Sequence, residues 1–221
     1  MNLGKIGATT LMDTKWRNPY ITDGLVAMWD GEWNAGGGKH NPNATAWKEL
    51  IGGQDLNIMS GGVWNDDGLL ISGPTAYSNA KSPQYFTLEL VFSYTAGRIL
   101  LASGMVDRVA ILDNPGQIYF DGSKTTKRVS VSQNAKTYLA CTYSEGSSVD
   151  KIYKNGVSGS TGNITNTWNA SSRLIIGNRA TTSDSRNWQG VLNAIRMYSR
   201  ALTADEIAHN YAIDKARFNL P

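Results

Sequence analysis

The sequence predicts an all-β fold, a sandwich or barrel, with one short helix near the C-terminus. Three observations lead there. Of 221 residues, 56 are Ser, Thr or Asn and 23 are Gly, while Glu occurs only five times. Turn formers are therefore abundant and strong helix formers sparse. Short segments with period-two alternation or brief apolar runs recur between Gly, Asn and Asp clusters, as half-buried strands require. Finally, a single helix start signal stands late in the chain, at Leu202-Thr203-Ala204-Asp205-Glu206-Ile207.

The strands are expected at residues 25–30, 63–72, 85–94, 98–103, 106–113, 117–121, 128–131, 137–144, 150–154, 173–177 and 191–199. The clearest is Phe86-Thr87-Leu88-Glu89-Leu90-Val91-Phe92, which puts Phe86, Leu88, Leu90 and Phe92 on one face and Thr87 and Glu89 on the other. Turn chemistry joins them at Asp67-Gly68, Asn114-Pro115-Gly116, Asp121-Gly122 and Asn155-Gly156. In the helix, Thr203 caps the N3 amide and Glu206 reaches back to the Thr203 amide, with acids at the positive end of the dipole. The helix is expected from about residue 204 to about residue 215, with Lys215 and Arg217 where cations suit its C-terminal end.

A chain of 24.0 kDa is long enough to enclose one full core, and no linker or internal repeat divides it. Residues 24–214 read as the domain, 1–23 as a polar N-terminal arm and 215–221 as a tail. The net charge is only +3 and its carriers are scattered, which argues against a nucleic-acid partner. The lone Cys141 excludes an internal disulfide framework and a cysteine zinc site, and its apolar setting suits a buried small residue. No apolar run is long enough to span a membrane, and the first twenty residues lack the apolar centre of a signal peptide. The expectation is a protein that stays in its cell of origin or leaves without a signal, as a virion component does on lysis.

An ordered set of segments closes the chain: Tyr138-Leu139-Ala140-Cys141-Thr142-Tyr143, Ile152-Tyr153-Lys154-Asn155-Gly156, Leu174-Ile175-Ile176-Gly177, Trp188-Gln189-Gly190, and Ile195 to Leu202 followed by Thr203-x-x-Glu206-Ile207. Upstream stand Gly24-Leu25-Val26-Ala27-Met28-Trp29-Asp30-Gly31 and Trp47-Lys48-Glu49-Leu50-Ile51-Gly52-Gly53. This series resembles the laminin-G-like, concanavalin A-like jelly roll, in its bacterial and bacteriophage branch, over roughly residues 24–214. The resemblance implies a jelly-roll β-sandwich in which most of these positions are scaffold. Asn155-Gly156 suits a two-residue turn with positive φ at both positions. Gly177 and Gly190 suit strand ends or close crossings. Trp188 and Tyr198 are expected between the sheets, and Arg200 is expected to tie the last strand to the helix.

Fold does not carry function, so the chemistry is read separately. Relatives of the same superfamily that hydrolyse β-glucans carry an E-x-D-x-x-E strand, and retaining hydrolysis needs two carboxyls about 5–5.5 Å apart. No such motif occurs around Glu32, Glu49, Glu89, Glu145 or Glu206. The chain is read as lacking an i, i+2 carboxylate pair, so no catalytic residue is assigned and no enzyme activity is expected. His40 and His209 are far apart and read as loop and surface residues. The Gly36-Gly37-Gly38 run lacks the following helix of a phosphate loop. No cofactor is expected. Calcium stays open because Asp66, Asp67 and Asp184 lie in loops able to supply oxygens, but no ligands are assigned.

Glycan recognition is the sharper idea. Sugar sites combine aromatic faces with polar side chains on loops of a rigid scaffold. Trp33, His40 and Asp30 in the segment 29–47, with Asp184 and Arg186 before Trp188, are the candidate residues; Trp29 and Trp47 are expected in the core. The resulting reading is a non-catalytic virion or surface structural protein, a decoration, fibre or attachment component that binds host glycans. A bacterial lectin module and a glycoside hydrolase are its alternatives. Expected partners are other virion or surface proteins, reached through residues 1–23, a glycan, and further copies of the chain.

Overall fold

The computed structural model describes residues 18–58, 62–72, 76–81, 86–103, 107–112, 117–119, 128–142, 150–162, 173–178 and 187–221. Among the described residues, two large antiparallel sheets, a two-stranded ribbon and one α-helix make up its architecture. The strands are β1 (Leu25–Asp30), β2 (Ala46–Trp47), β3 (Leu56–Asn57), β4 (Gly62–Asn65), β5 (Gly68–Ile71), β6 (Ala76–Lys81), β7 (Thr87–Ala96) and β8 (Ile99–Ser103). They continue as β9 (Asp107–Leu112), β10 (Gln117–Tyr119), β11 (Arg128–Ser130), β12 (Lys136–Thr142), β13 (Asp150–Lys154), β14 (Val157–Gly162), β15 (Arg173–Ile176) and β16 (Gln189–Tyr198). The helix is α1 (Ala204–Phe218), and a 3-10 turn (Gly31–Trp33) follows β1.

The larger sheet runs β14-β13-β12-β7-β16-β5-β4, and β1 shares one side of β16 with β5. The smaller runs β11-β10-β9-β8-β15-β6, and β2 and β3 form a short ribbon of their own. This is the sandwich that the strand pattern predicts, of the concanavalin A-like kind that the resemblance implies. The strand β1 and the strand β13 fall where alternation placed them. The segment expected as one strand over 63–72 is instead a hairpin, β4–β5, turning at Asp66-Asp67 one residue before the expected Asp67-Gly68. The short or Ser/Gly-rich strands β2, β3, β6 and β14 had no apolar alternation to announce them.

Alternation along β7 divides the molecule into its layers. Leu88, Leu90, Phe92 and Tyr94 enter the interior between the sheets, where Trp29, Trp47, Trp64 and Trp188 also lie. Trp47 meets Trp64 edge-on at 5.2 Å between ring centroids, and Phe92 meets Trp188 at 6.2 Å. Each such pair is worth ~0.5–1.5 kcal/mol beyond area burial. Cys141 is buried in the same core.

The opposite face of the larger sheet is covered by α1. Val91, Tyr138, Ala140, Ala194 and Tyr198 pack there against Leu202, Ile207 and Phe218. Tyr198 is therefore a sheet-to-helix residue and not, as expected, one between the sheets. The capping box forms as read: Glu206 N donates to Thr203 Oγ1, and Thr203 N donates to Glu206 Oε2 at 2.8 Å. Arg200 ties strand to helix through Glu206 and reaches Asp23 as well. Thr87 Oγ1 accepts from Leu202 N and donates to Arg200 O, fastening the connection to β7.

The helix outlasts its expected end at residue 215, running to Phe218 with Asn219 left-handed at φ 53°. Residues 215–221 are no free tail, because Phe218 and Leu220 are buried in the helix–sheet layer. Of the 1–23 segment read as an arm, residues 18–23 are described, and they lie on the domain itself. Tyr20 is buried, and Ile21 N donates to Asn210 Oδ1 at 3.0 Å. Among the described residues no helix is long and apolar enough to cross a membrane.

Candidate functional site at the sandwich rim

The chain leaves β1 at Asp30 and turns at once. Asp30 Oδ1 accepts from Glu32 N, which caps the 3-10 turn, and Trp47 Nε1 donates to Asp30 O from the core side. Gly31 is required where it stands: a Cβ there would sit 2.4 Å from Gly68 Cα. The loop after the turn is closed by a side-chain clamp. Asn34, fully buried, accepts from Asn41 N at 2.7 Å and donates from Nδ2 to Asn41 O at 2.9 Å. Ala35 N donates to Lys39 O, and Lys39 N to Gly36 O, closing the tip. A polar, Gly-rich loop is thus held by its own amides, with Gly36, Gly37 and Gly38 half-buried and Lys39 and His40 exposed at its tip.

A guanidinium from the far end of the chain fixes the turn from outside. Arg217, in the last turn of α1, donates to Asp30 Oδ2 at 2.7 Å and Oδ1 at 2.9 Å, and to Glu32 Oε2 at 2.6 Å. It also lies over the Trp33 ring at 3.8 Å from the centroid. Burial opposes the charge of Arg217, but Asp30 and Tyr20 outweigh it and hold its pKa well above the ordinary value. Burial pushes the Glu32 carboxyl up against the pull of Arg217.

Beyond Arg217 the polar chain continues inward between sheet and helix. Arg217 Nη1 donates to the Tyr20 hydroxyl, and Tyr20 donates to Asp214 Oδ1 at 2.6 Å. Asp214 accepts from both terminal nitrogens of Arg196, whose Nε donates to Glu89 Oε2 at 2.6 Å. Glu89 also accepts from Tyr138 and from Asn210, and Asn210 donates in turn to Tyr198. Burial works against the charge on Arg196, yet Asp214 and Glu89 raise its pKa well above normal. Burial pushes Asp214 up, with Arg196 pulling it down. Burial, reinforced by Asp214 for Tyr20 and by Glu89 for Tyr138, takes both phenols well above theirs.

The candidate residues divide sharply against this geometry. Trp33 and His40 lie on the same rim loop; His40 is exposed and its Nδ1 contacts Gly31 O at 3.1 Å. Trp33 is half-buried, with Arg217 across its ring, so the expectation of an exposed platform is corrected. Asp30 is fully buried and spent on Arg217 and on the turn, so it does not present oxygens to a sugar. Asp184 and Arg186 lie outside the described residues, as do the turns at 114–116 and 121–122. Trp29 and Trp47 are core residues, as expected.

Sequence reasoning passed over Glu32, Arg217, Tyr20 and the Asn34–Asn41 clamp. One signal was present: Asp30 and Glu32 do stand at i, i+2, against the reading that no glutamate had such a partner. Their shared cation comes from residue 217, and nothing local announces it. Among the described residues no group of three or more His, Cys, Asp or Glu side chains is placed to hold a metal ion. Asp67, one of the loop carboxylates considered for calcium, pairs with Lys136 at 2.9 Å.

Comparison with known proteins places the chain in a family. No curated protein sequence matches the chain. Solved structures of Trypanosoma rangeli sialidase share its fold. The complex with sialic acid superposes at TM-score 0.67 and 17% identity, over 87% of this chain and 33% of that one. A complex with a difluoro-nononic acid superposes at TM-score 0.69 and 16% identity, over 97% and 37%. This chain therefore spans about a third of the length of those sialidases. At such identities the likeness speaks for the fold alone. A carbohydrate-binding module of a Ruminococcus gnavus sialidase, bound to sialyllactose, overlaps at TM-score 0.49 and 14% identity, over 66% of this chain and 95% of that one, too slight to bear on function. A laminin-G family model matches residues 75–208, more than half of the chain, and the chain belongs to that family, the concanavalin A-like lectin/glucanases superfamily.

Proposed function

We propose that this domain recognises a carbohydrate without hydrolysing it, with the 31–45 loop as its contact surface, as part of a virion or comparable surface assembly. The observation that carries the reading is the rim loop itself. It sets the half-buried Trp33 ring, backed by Arg217, near the exposed His40 imidazole on backbone closed by the Asn34–Asn41 clamp, so little ordering entropy is left to lose on binding. The virion setting rests on the likeness of the opening and closing motifs to phage-encoded members.

A second reading, hydrolysis, has Asp30 and Glu32 in its favour, since burial raises Glu32 in the direction a general acid needs. Against it, both oxygens of Asp30 are taken by Arg217 and the carboxylate has no exposure to reach an anomeric carbon. A glycan array tests the recognition reading. Wild-type protein should retain a defined set of glycans, and Trp33→Ala should lose them while the fold persists. Retention unchanged in Trp33→Ala would remove the loop as the contact. Release of reducing sugar that vanishes in Glu32→Gln would replace recognition with catalysis.

A further inference from the structure

We infer that Arg217 is the positioning residue of the rim loop and that, through Tyr20, it couples the N-terminal segment of the domain to Trp33. The inference rests on the reading of this loop as the recognition surface and adds how that surface is set. Two nearby pieces of chain, at Tyr20 and at residues 30–33, meet at one guanidinium from the far end of the sequence. Its Nη2 and Nη1 grip Asp30 and Glu32 at the start of the loop, its plane lies 3.8 Å from the Trp33 centroid, and Nη1 also donates to the Tyr20 hydroxyl. Four acceptor atoms on Asp30, Glu32 and Tyr20, with the Trp33 and Phe218 rings at 3.8 and 4.9 Å, leave the group a single arrangement, because the planar fork has fixed donor directions.

Tyr20 is held by Arg196 over its ring and by Arg217 and Asp214 at its hydroxyl. Arg196 lies 4.0 Å from its centroid, Arg217 lies 5.9 Å away, and the hydroxyl donates to Asp214 at 2.6 Å. Ile21 N is fastened to Asn210 in the middle of α1. Displacing Tyr20 therefore removes one acceptor from Arg217 and one donor from Asp214, in a layer with little water to replace them. The guanidinium then redistributes toward Asp30 and Glu32, and its plane over Trp33 moves with it. Displacement of Tyr20 consequently acts on the orientation of the Trp33 ring. A polar network with every member satisfied transmits such a change because each partial loss is costly.

Indole 15N–1H spectra test this on the whole protein, with the Trp33 cross-peak identified by its disappearance in Trp33→Phe. Arg217→Lys keeps the charge but loses the fork, and should move the Trp33 peak while leaving those of Trp47 and Trp64 in place. Tyr20→Phe deletes one hydroxyl and should move the same peak less, which guards against Arg217→Lys failing to fold. Lys215→Gln, on the same helical turn but over Tyr211, should leave it still. On a glycan array, Arg217→Lys should weaken every glycan that wild type retains by about tenfold. A stationary Trp33 peak in both variants overturns the coupling. Equal movement of the Trp47 and Trp64 peaks also overturns it, by showing general loosening. Wild type that retains no glycan defeats the recognition reading alone, and the spectra still decide the coupling.

Discussion

Arg196 and Glu89 are directly paired across the β16–β7 ladder, and the Arg196 Nε donates to Glu89 Oε2 at 2.6 Å with both side chains buried. Two charges sit in the middle of a sheet face that would ordinarily carry apolar residues against a helix. The arrangement holds because every member has partners: Asp214 takes the other side of Arg196, while Tyr138 and Asn210 complete Glu89. Buried pairs of this kind return little net stability, but breaking one strands the other charge.

Arg196→Met should accordingly destabilise the domain by ~3–5 kcal/mol in urea unfolding, the usual cost of orphaning a buried partner. Combining it with Glu89→Gln and Asp214→Asn should recover part of that loss. A triple variant no more stable than the single one would show that the layer depends on Arg196 for packing alone.

Carboxylates act on stability with opposite signs here, according to whether folding lowers or raises their pKa. Glu206 is lowered from 4.5 to about 2, chiefly by its hydrogen bond from Arg200, so its contribution is present above pH 4.5 and lost as pH falls toward 2. Burial raises Asp214 and Glu32 from 3.8 and 4.5, so the folded state holds their protons more tightly than the unfolded chain does. Their contribution is full below those ordinary values and declines as pH rises through the raised ones. The Tm should therefore gain the Glu206 contribution as pH rises from about 2 to 4.5, and lose those of Asp214 and Glu32 as pH rises above 3.8 and 4.5. Glu206→Gln should flatten the first limb and Glu32→Gln part of the second, as read by calorimetry across pH.

The two loop-region tryptophans should separate on thermal unfolding. Trp29→Ala empties the core and should cost ~3–5 kcal/mol. Trp33→Ala forfeits a half-buried ring and its cation–π contact and should cost nearer ~1–2 kcal/mol. Equal losses would place Trp33 in the core.

Two glycines should refuse a methyl group. Gly190 has φ 147°, and a Cβ there would lie 2.0 Å from Ser93 O in the neighbouring strand. Gly156 has φ 75° in the β13–β14 turn, and a Cβ would lie 2.5 Å from the Tyr211 ring. Gly190→Ala should abolish soluble expression or reduce stability severely, because backbone would have to move. Gly156→Ala should cost less, since a side chain gives way.

Removing residues 1–20 should lower the Tm relative to removing residues 1–17. Only the longer deletion takes away Tyr20 and its bonds to Asp214 and Arg217. Equal Tm values would show that the helix layer closes without the segment.

What the sequence determined by itself is whatever physics acts over a few residues. The alternation of Leu88, Leu90 and Phe92 could be read because a strand's faces repeat every two positions. The Asn155-Gly156 turn could be read because few residues tolerate its positive φ, observed at 49° and 75°. The Thr203–Glu206 box could be read because both bonds close within one helical turn. The rim loop was legible as a place, through its Trp, Asn and Gly content. Tertiary structure alone decided which side chains meet. Glu89 was read only as the polar face of a strand, yet Asn210 and Arg196 reach it from more than a hundred residues away. Trp33 was read as an open platform, yet Arg217 crosses it from the other end of the chain. Such encounters follow from the strand order and from the seating of α1 on the larger sheet. Charged residues far apart leave no periodicity in the sequence, so only the folded chain brings them into view.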